Sequence, residues 1–82
     1  MKTFRSKERR VLRQLLREAR QQAGLRQVDL AARLGVPQSL VSKIEVGERR
    51  LDLLELRVIC KALGLSLSEF VARLEKRLDS AG

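Results

Sequence analysis

Apolar residues along the chain recur every three or four positions, which is the period of an amphipathic α-helix. The first such stripe runs from Val11 to Ala23 and ends at Gly24, a residue type that favours helix C-termini. No run alternates between apolar and polar residues with the period of two that marks a half-buried strand. The pattern therefore predicts an all-α fold.

Two short helices follow the first one. The first is predicted from about Gln27 to Leu34, and Gly35 follows it directly. The second is predicted from about Gln38 to Glu45, and Gly47 lies close to its end. Pro37 belongs at or just before the first turn of the second short helix, where its missing N–H leaves no hydrogen bond unmade. These residues predict two helices joined by a tight turn.

Two longer helices complete the chain. Each begins with a capping box, Asp52-Leu53-Leu54-Glu55 or Ser66-Leu67-Ser68-Glu69, in which the first and fourth residues satisfy each other's backbone N–H. The last helix is predicted over residues 66–80. We therefore predict a compact five-helix domain that occupies residues 1–82.

The composition excludes several classes of protein and site. The chain has 82 residues, of which 44% are hydrophobic, and this share is too high for a disordered chain. No uncharged stretch approaches the ~20 residues that cross a bilayer, and no apolar segment near the N-terminus indicates a secretory signal. One cysteine and no histidine leave no intrachain disulfide, His-based triad or zinc site. We expect a cytoplasmic protein that is not an enzyme and binds no cofactor or metal.

Positive charge is concentrated at one end of the chain, whose net charge is +8. Residues 1–26 hold nine of the 18 Lys and Arg residues but two of the 10 acidic residues, whereas residues 51–82 hold five of each. Such an excess is typical of a surface that binds a polyanion, although a solvated surface or an acidic membrane satisfies charge alone. We interpret the basic side chains of the first helix mostly as a solvated face: Arg9, Arg10, Arg13 and Arg17.

The segment 27–46 carries the most specific pattern. Two helices that cross at a steep angle need a small residue at the crossing and tolerance of positive φ at the turn, and Ala31 and Gly35 supply these. In the second of these helices, Val41 and Ile44 belong to the inward face. The polar residues form one exposed ridge, which consists of Gln38, Ser39, Ser42 and Lys43. Amide, hydroxyl and ammonium groups without an acid suit base edges in a major groove.

This segment resembles the helix-turn-helix of the Cro/repressor (XRE) family, whose members are five-helix DNA-binding domains of bacteria and phages. The similarity covers about Leu12 to Leu74. It rests on a series of elements in order: Leu16-Arg17-Glu18-Ala19-Arg20, Gln27, Leu30-Ala31, Gly35, Val41-Ser42-Lys43-Ile44-Glu45, Gly47 and Lys61-Ala62-Leu63-Gly64. The resemblance implies a repressor-like fold in which helices two and three form the helix-turn-helix.

The resemblance also implies roles for individual residues. The ridge residues Gln38, Ser39, Ser42 and Lys43 are expected to face DNA bases. The residues expected at backbone phosphates are Gln27, Arg49 and Arg50. A buried ion pair between Arg20 and Glu45 is expected to tie the first helix to the third, the recognition helix.

Arg26 departs from the family pattern, in which Ser or Thr caps the second helix. Because a guanidinium cannot accept a hydrogen bond, the helix loses a cap worth about 1 kcal/mol. Asp29 in the first turn partly offsets this loss through the helix dipole. We assign Arg26 to the phosphate-contacting residues instead.

The sequence thus predicts a sequence-specific regulator of transcription that binds double-stranded DNA and no membrane. We expect a repressor that acts as a homodimer on an inverted-repeat operator. Leu74 and Leu78 of the last helix are the candidate dimer interface, and the alternative is that this helix only completes the monomer core. For residues 1–5, a flexible basic arm that follows DNA is one interpretation left open.

Two other functions fit the same fold. The first is an antitoxin, with a toxin as partner, or a controller of a restriction-modification system. The second is a protein-interaction adaptor that no longer binds DNA. The presence of Gln27, Gln38 and Lys43 in basic surroundings argues against the adaptor.

Overall fold

The computed structural model describes residues 6–81, which contain five α-helices and no strand. The helices are α1 (Ser6–Gln22), α2 (Gln27–Leu34), α3 (Gln38–Val46), α4 (Leu53–Ala62) and α5 (Leu67–Ala81). This order confirms the predicted all-α class, and α3 runs one residue beyond its predicted end. The candidate basic arm, residues 1–5, lies outside the described residues. Within the described part, no helix combines the length and the apolar character that a membrane span requires.

The five helices share one hydrophobic core. Each of them contributes at least one buried side chain, such as Leu16, Leu30, Val41, Ile59 and Phe70 in chain order. Burying an aliphatic or aromatic side chain contributes about 1.5–3 kcal/mol, so a core drawn from every helix fixes their relative positions. Cys60 is also fully buried, and this burial raises the pKa of its thiol.

The turn between α2 and α3 is tight, as the sequence predicts, and spans only residues 35–37. Gly35 has a φ of +69°, a conformation that residues with a Cβ rarely adopt. The N–H of Val36 donates to the carbonyl of Ala31 at 3.0 Å, which closes the end of α2. Ala31 is buried where the two helices meet. Its side chain is small, and a larger one would separate the helices.

Both predicted capping boxes are confirmed. In the first, Glu55 N–H donates to Asp52 at 2.7 Å and Asp52 N–H donates to Glu55 at 3.0 Å. In the second, the reciprocal bonds between Ser66 and Glu69 are both 3.0 Å long. Glu55 has a further partner, because the guanidinium of Arg49 donates to its two oxygens at 2.8 and 2.7 Å. Glu55 therefore fastens the α3–α4 loop to the start of α4.

Helix α5 packs against α1 and α4 and helps to complete the monomer. Leu74 is half-buried against the core, and Leu78 is also half-buried. Arg77 donates to both carboxylate oxygens of Glu18 on α1, at 3.0 and 2.8 Å. The most exposed large apolar side chains of the described residues include three on α4, namely Leu53, Leu54 and Val58.

We predict that acid weakens the fold partly through Glu55. The hydrogen bonds from Arg49, followed by that from the backbone of Asp52, lower the pKa of Glu55 from 4.5 to about 2. Because the folded pKa is the lower one, this contribution to stability is complete above pH 4.5 and is lost as the pH falls toward 2. In thermal melts, Glu55→Gln should lower the melting temperature at pH 7 and approach wild type near pH 2. The exposed Glu75→Gln is the control, and an equal effect of both substitutions would contradict this role of Glu55.

Candidate nucleic-acid interface

Helix α3 has one face in the core and one face in solvent. Val41 and Ile44 are buried, whereas Gln38, Ser39 and Lys43 are exposed. Ser42 is half-buried, so the ridge predicted from the sequence is open at three positions and partly covered at the fourth. The exposed part of α3 thus presents an amide, a hydroxyl and an ammonium group.

The ion pair between Arg20 and Glu45 lies directly behind this ridge. The guanidinium donates to the two carboxylate oxygens at 2.7 and 3.0 Å, and the exposed fractions of the two side chains are 8% and 4%. Arg20 also donates to the carbonyl of Leu25 at 2.8 Å. This bidentate geometry joins α1 to α3 and satisfies charges that would be costly to bury alone.

Gln27, the first residue of α2, extends this network toward the surface. Its side-chain N–H donates to Glu45 at 3.0 Å, and its side-chain oxygen accepts from the amide of Gln38 at 3.3 Å. The result is a continuous chain of hydrogen bonds from Arg20 through Glu45 and Gln27 to Gln38. The side-chain nitrogen of Gln38 is therefore bound to Gln27, while its side-chain oxygen has no hydrogen-bond partner in the described part of the chain.

Arg26 stands exposed at the start of α2. Its guanidinium donates two hydrogen bonds of 3.0 Å to Asp29, and its backbone N–H donates to the same carboxylate at 2.8 Å. Asp29 thus supplies one half of a capping box, while Arg26 offers no acceptor for the other half. The bonds from the Arg26 side chain, followed by that from its backbone, lower the pKa of Asp29 to about 2.

The two arginines of the α3–α4 loop have different environments. Arg49 is half-buried. Its guanidinium donates to the carboxylate of Glu55 and, at 2.6 Å, to the carbonyl of Arg50. Arg50 is exposed, and its side chain makes no ion pair within residues 6–81. Both arginines are predicted to contact phosphate. Arg49 is bound to Glu55, whereas the side chain of Arg50 is exposed and has no such partner.

Sequence reasoning missed the contacts that orient these groups. The Arg49–Glu55 pair and the Gln27–Gln38 bond both join side chains of different elements. The capping-box pattern signals Glu55 only as a partner of Asp52, and nothing in it points to Arg49. The side chains of the candidate interface therefore make more hydrogen bonds with one another than the spacing of residues in the sequence indicates.

Comparisons with known proteins agree with this geometry. The family HTH_3, described as helix-turn-helix, matches residues 16–70. The chain is similar to a solved structure, an XRE-family like protein from Pseudomonas syringae pv. tomato str. DC3000. Sequence identity is 46%, the alignment covers 85% of each chain, and the TM-score is 0.79. No curated protein matches the chain.

We predict that removal of one partner of the Arg20–Glu45 pair strongly destabilises the fold. Glu45→Ala leaves the guanidinium of Arg20 buried without its partner, which costs about 3–5 kcal/mol for a fully buried pair. Denaturant unfolding monitored by circular dichroism measures this loss. The double substitution Arg20→Leu with Glu45→Leu should recover part of it, because no unpaired charge remains buried. A single variant that unfolds like wild type would show that the pair contributes little.

Proposed function

Because the chain belongs to the XRE family of helix-turn-helix DNA-binding transcription regulators, we propose that it represses transcription as a homodimer on an inverted-repeat operator. One observation carries the sequence-specific part of this proposal. The ridge of α3 presents Gln38, Ser39 and Lys43 to solvent, and an exposed hydrogen bond to Gln27 links Gln38 to the buried Arg20–Glu45 pair. This bond restrains Gln38, the first residue of the ridge, before DNA is bound.

In this mechanism α3 enters the major groove and α2 crosses the backbone beside it. Lys43 donates to guanine N7 and O6, because an ammonium offers hydrogens and no acceptor. Gln38 offers both a donor and an acceptor, which suits adenine. Ser39 and the partly covered Ser42 donate or accept at neighbouring base edges.

Affinity in this proposal comes mainly from the rim of the ridge. Gln27, Arg26, Arg49 and Arg50 contact backbone phosphates, and the release of condensed counterions drives the association. Arg50 supports this role most directly, since its guanidinium is exposed and not engaged by a carboxylate. Arg26 and Arg49 would keep their carboxylate partners, so their phosphate contacts use the remaining N–H groups.

The network also lowers the cost of binding. Ordering a side chain at an interface costs about 0.5–1.5 kcal/mol, and the bond from Gln38 to Gln27 restrains both side chains beforehand. Gln27 is restrained further by its bond to Glu45. Preorganisation of this kind is confined to Gln27 and Gln38, since Lys43 makes no side-chain hydrogen bond within the described residues.

A homodimer places two copies of α3 in successive major grooves about 34 Å apart. The sequence assigns the interface to Leu74 and Leu78, and half-burial of both leaves part of each side chain accessible. The exposed apolar residues Leu54 and Val58 of α4 offer a second surface for the partner copy. Single substitutions can show which of these two surfaces forms the dimer interface.

We predict that Lys43 determines one base pair in each half-site. Lys43→Ala should cost about 1–3 kcal/mol on the preferred operator and remove the preference at one G·C pair. Selection of bound sequences from randomised DNA, carried out with wild type and variant, measures this directly. An unchanged consensus would show that Lys43 does not contact bases.

Arg50→Ala is the matched control for that experiment. It also removes one positive charge beside α3, but it should weaken binding to all sequences equally and lower the slope of log affinity against log salt by about 0.9. The consensus should stay as in wild type. Wild-type protein that selects no consensus at all would contradict the proposed function.

We predict that the protein dimerises and that one apolar substitution makes it monomeric. Sedimentation velocity on Leu78→Asp tests the surface of α5, and Leu54→Asp tests that of α4. Leu78→Asp should dissociate the dimer while circular dichroism shows a folded monomer. Dissociation by Leu54→Asp alone would move the interface to α4, and a monomeric wild type at high concentration would exclude a stable homodimer.

A further inference from the structure

A cleft of about 290 Å³ lies between α1 and the α3–α4 loop. Four of its lining residues are arginines, Arg9, Arg13, Arg49 and Arg50, and no carboxylate side chain lines it. Its floor is apolar and includes Leu16 and Ile44. A concave site with several guanidinium groups and no acid suits an anion, and planar guanidinium groups match the geometry of phosphate oxygens.

Arg13 reaches across this cleft to the end of the recognition helix. Its guanidinium covers Gly47 so closely that a Cβ at Gly47 would lie 2.7 Å from Arg13 Cζ. Gly47 ends α3 with a φ of +89°, so its lack of a side chain serves both the turn and this close approach. Arg13 is half-buried there, in contrast to the solvated side chain that the sequence indicates.

The positive charges in the cleft are only partly compensated. Arg49 is neutralised by Glu55, whereas Arg13 and Arg50 make no ion pair or side-chain hydrogen bond within residues 6–81. The negative end of the α3 dipole favours Arg13 but amounts to about half an elementary charge. Like charges that converge on one cleft repel each other, and an anion between them removes that repulsion.

The cleft lies on the side of α1 that faces the recognition helix. Arg13 precedes Arg20 by seven residues, which is about two helical turns, or 10 Å along the axis, on the same face. Arg20 lies behind the ridge of α3, and Gly47 lies at the C-terminal end of that ridge. The cleft therefore continues the interface past the end of α3, where a DNA strand would leave the groove.

We propose that Arg13, together with Arg9 and Arg50, binds a phosphate of the DNA backbone in this cleft, an inference that rests on the proposed function. Arg13 supplies the contact from α1 and Arg50 supplies it from the loop. DNA is the occupant we favour because the loop that forms one wall of the cleft directly follows the helix that enters the groove.

Arg13→Gln tests this site in the full-length protein. Loss of one charged contact should weaken binding about tenfold on operator and random duplex alike, because hydrogen bonds to charged groups are among the strong ones. The slope of log affinity against log salt should fall by about 0.9, with an unchanged consensus. Arg10→Gln is the matched control, since Arg10 carries the same charge on the same helix, is exposed and does not line the cleft.

The outcomes separate this inference from the proposed function. If Arg13→Gln keeps the wild-type salt slope, or loses no more affinity than Arg10→Gln, the phosphate site is overturned and sequence-specific binding stands. If wild type selects no DNA sequence, the proposed function fails instead. A circular dichroism melt of each variant shows whether it is folded at the temperature of the binding measurement.

A second measurement uses no DNA and identifies the source of the phosphate. Inorganic phosphate titrated into the free protein should shift the NMR signals of Arg13 Nε–H and the Gly47 amide, and the Gly47 shift should be absent in Arg13→Gln. Prior addition of duplex DNA should prevent the shifts, because the backbone occupies the cleft. Shifts that persist unchanged with bound DNA would overturn the backbone as the occupant and assign the cleft to a free phosphate compound.

Discussion

The buried pair of Arg20 and Glu45 is the interaction on which the rest of the interface depends. It joins the first and third helices at a point where an unpaired charge would cost several kilocalories per mole. Oε1 of Glu45 accepts from Gln27 as well as from Arg20, and the remaining terminal nitrogen of Arg20 donates to the carbonyl of Leu25. The same two side chains therefore set the position of α3 and the start of α2.

A hydrophobic pair of similar size would hold the helices together at least as strongly. It would not, however, place an acceptor where Gln27 needs one. The polar pair also helps to orient other side chains, because the hydrogen bonds that lead from it end at the exposed amide of Gln38. In this fold, a surface side chain is thus linked through Gln27 to a contact in the interior.

Most of the fold could be predicted from the sequence because its signals are local. Helical period, Gly35 at the turn and the two capping boxes each act within a few residues, and all of them appear in the structure. The Arg20–Glu45 pair was expected from the family resemblance alone, since the two residues are 25 positions apart.

Contacts between side chains of different elements could not be predicted in this way. The pairing of Arg49 with Glu55 and the position of Arg13 over Gly47 depend on how α1, α3 and α4 are placed in space. The same limit explains why the sequence predicts a solvated Arg13, whereas this side chain is half-buried. Half-burial of Leu74 and exposure of Leu54 likewise follow from the packing of whole helices rather than from either helix alone.

The bond between Gln38 and Gln27 divides the ridge of α3 into two parts that can diverge independently. Within the described residues, Ser39, Ser42 and Lys43 make no side-chain hydrogen bond or ion pair. Gene duplication followed by substitution at these three positions can alter the outer surface of α3 and leave the buried network intact. A change at Gln38 also removes a partner of Gln27, so it alters the start of α2 together with the surface of α3. New specificities would therefore arise more readily from the middle of the helix than from its first residue.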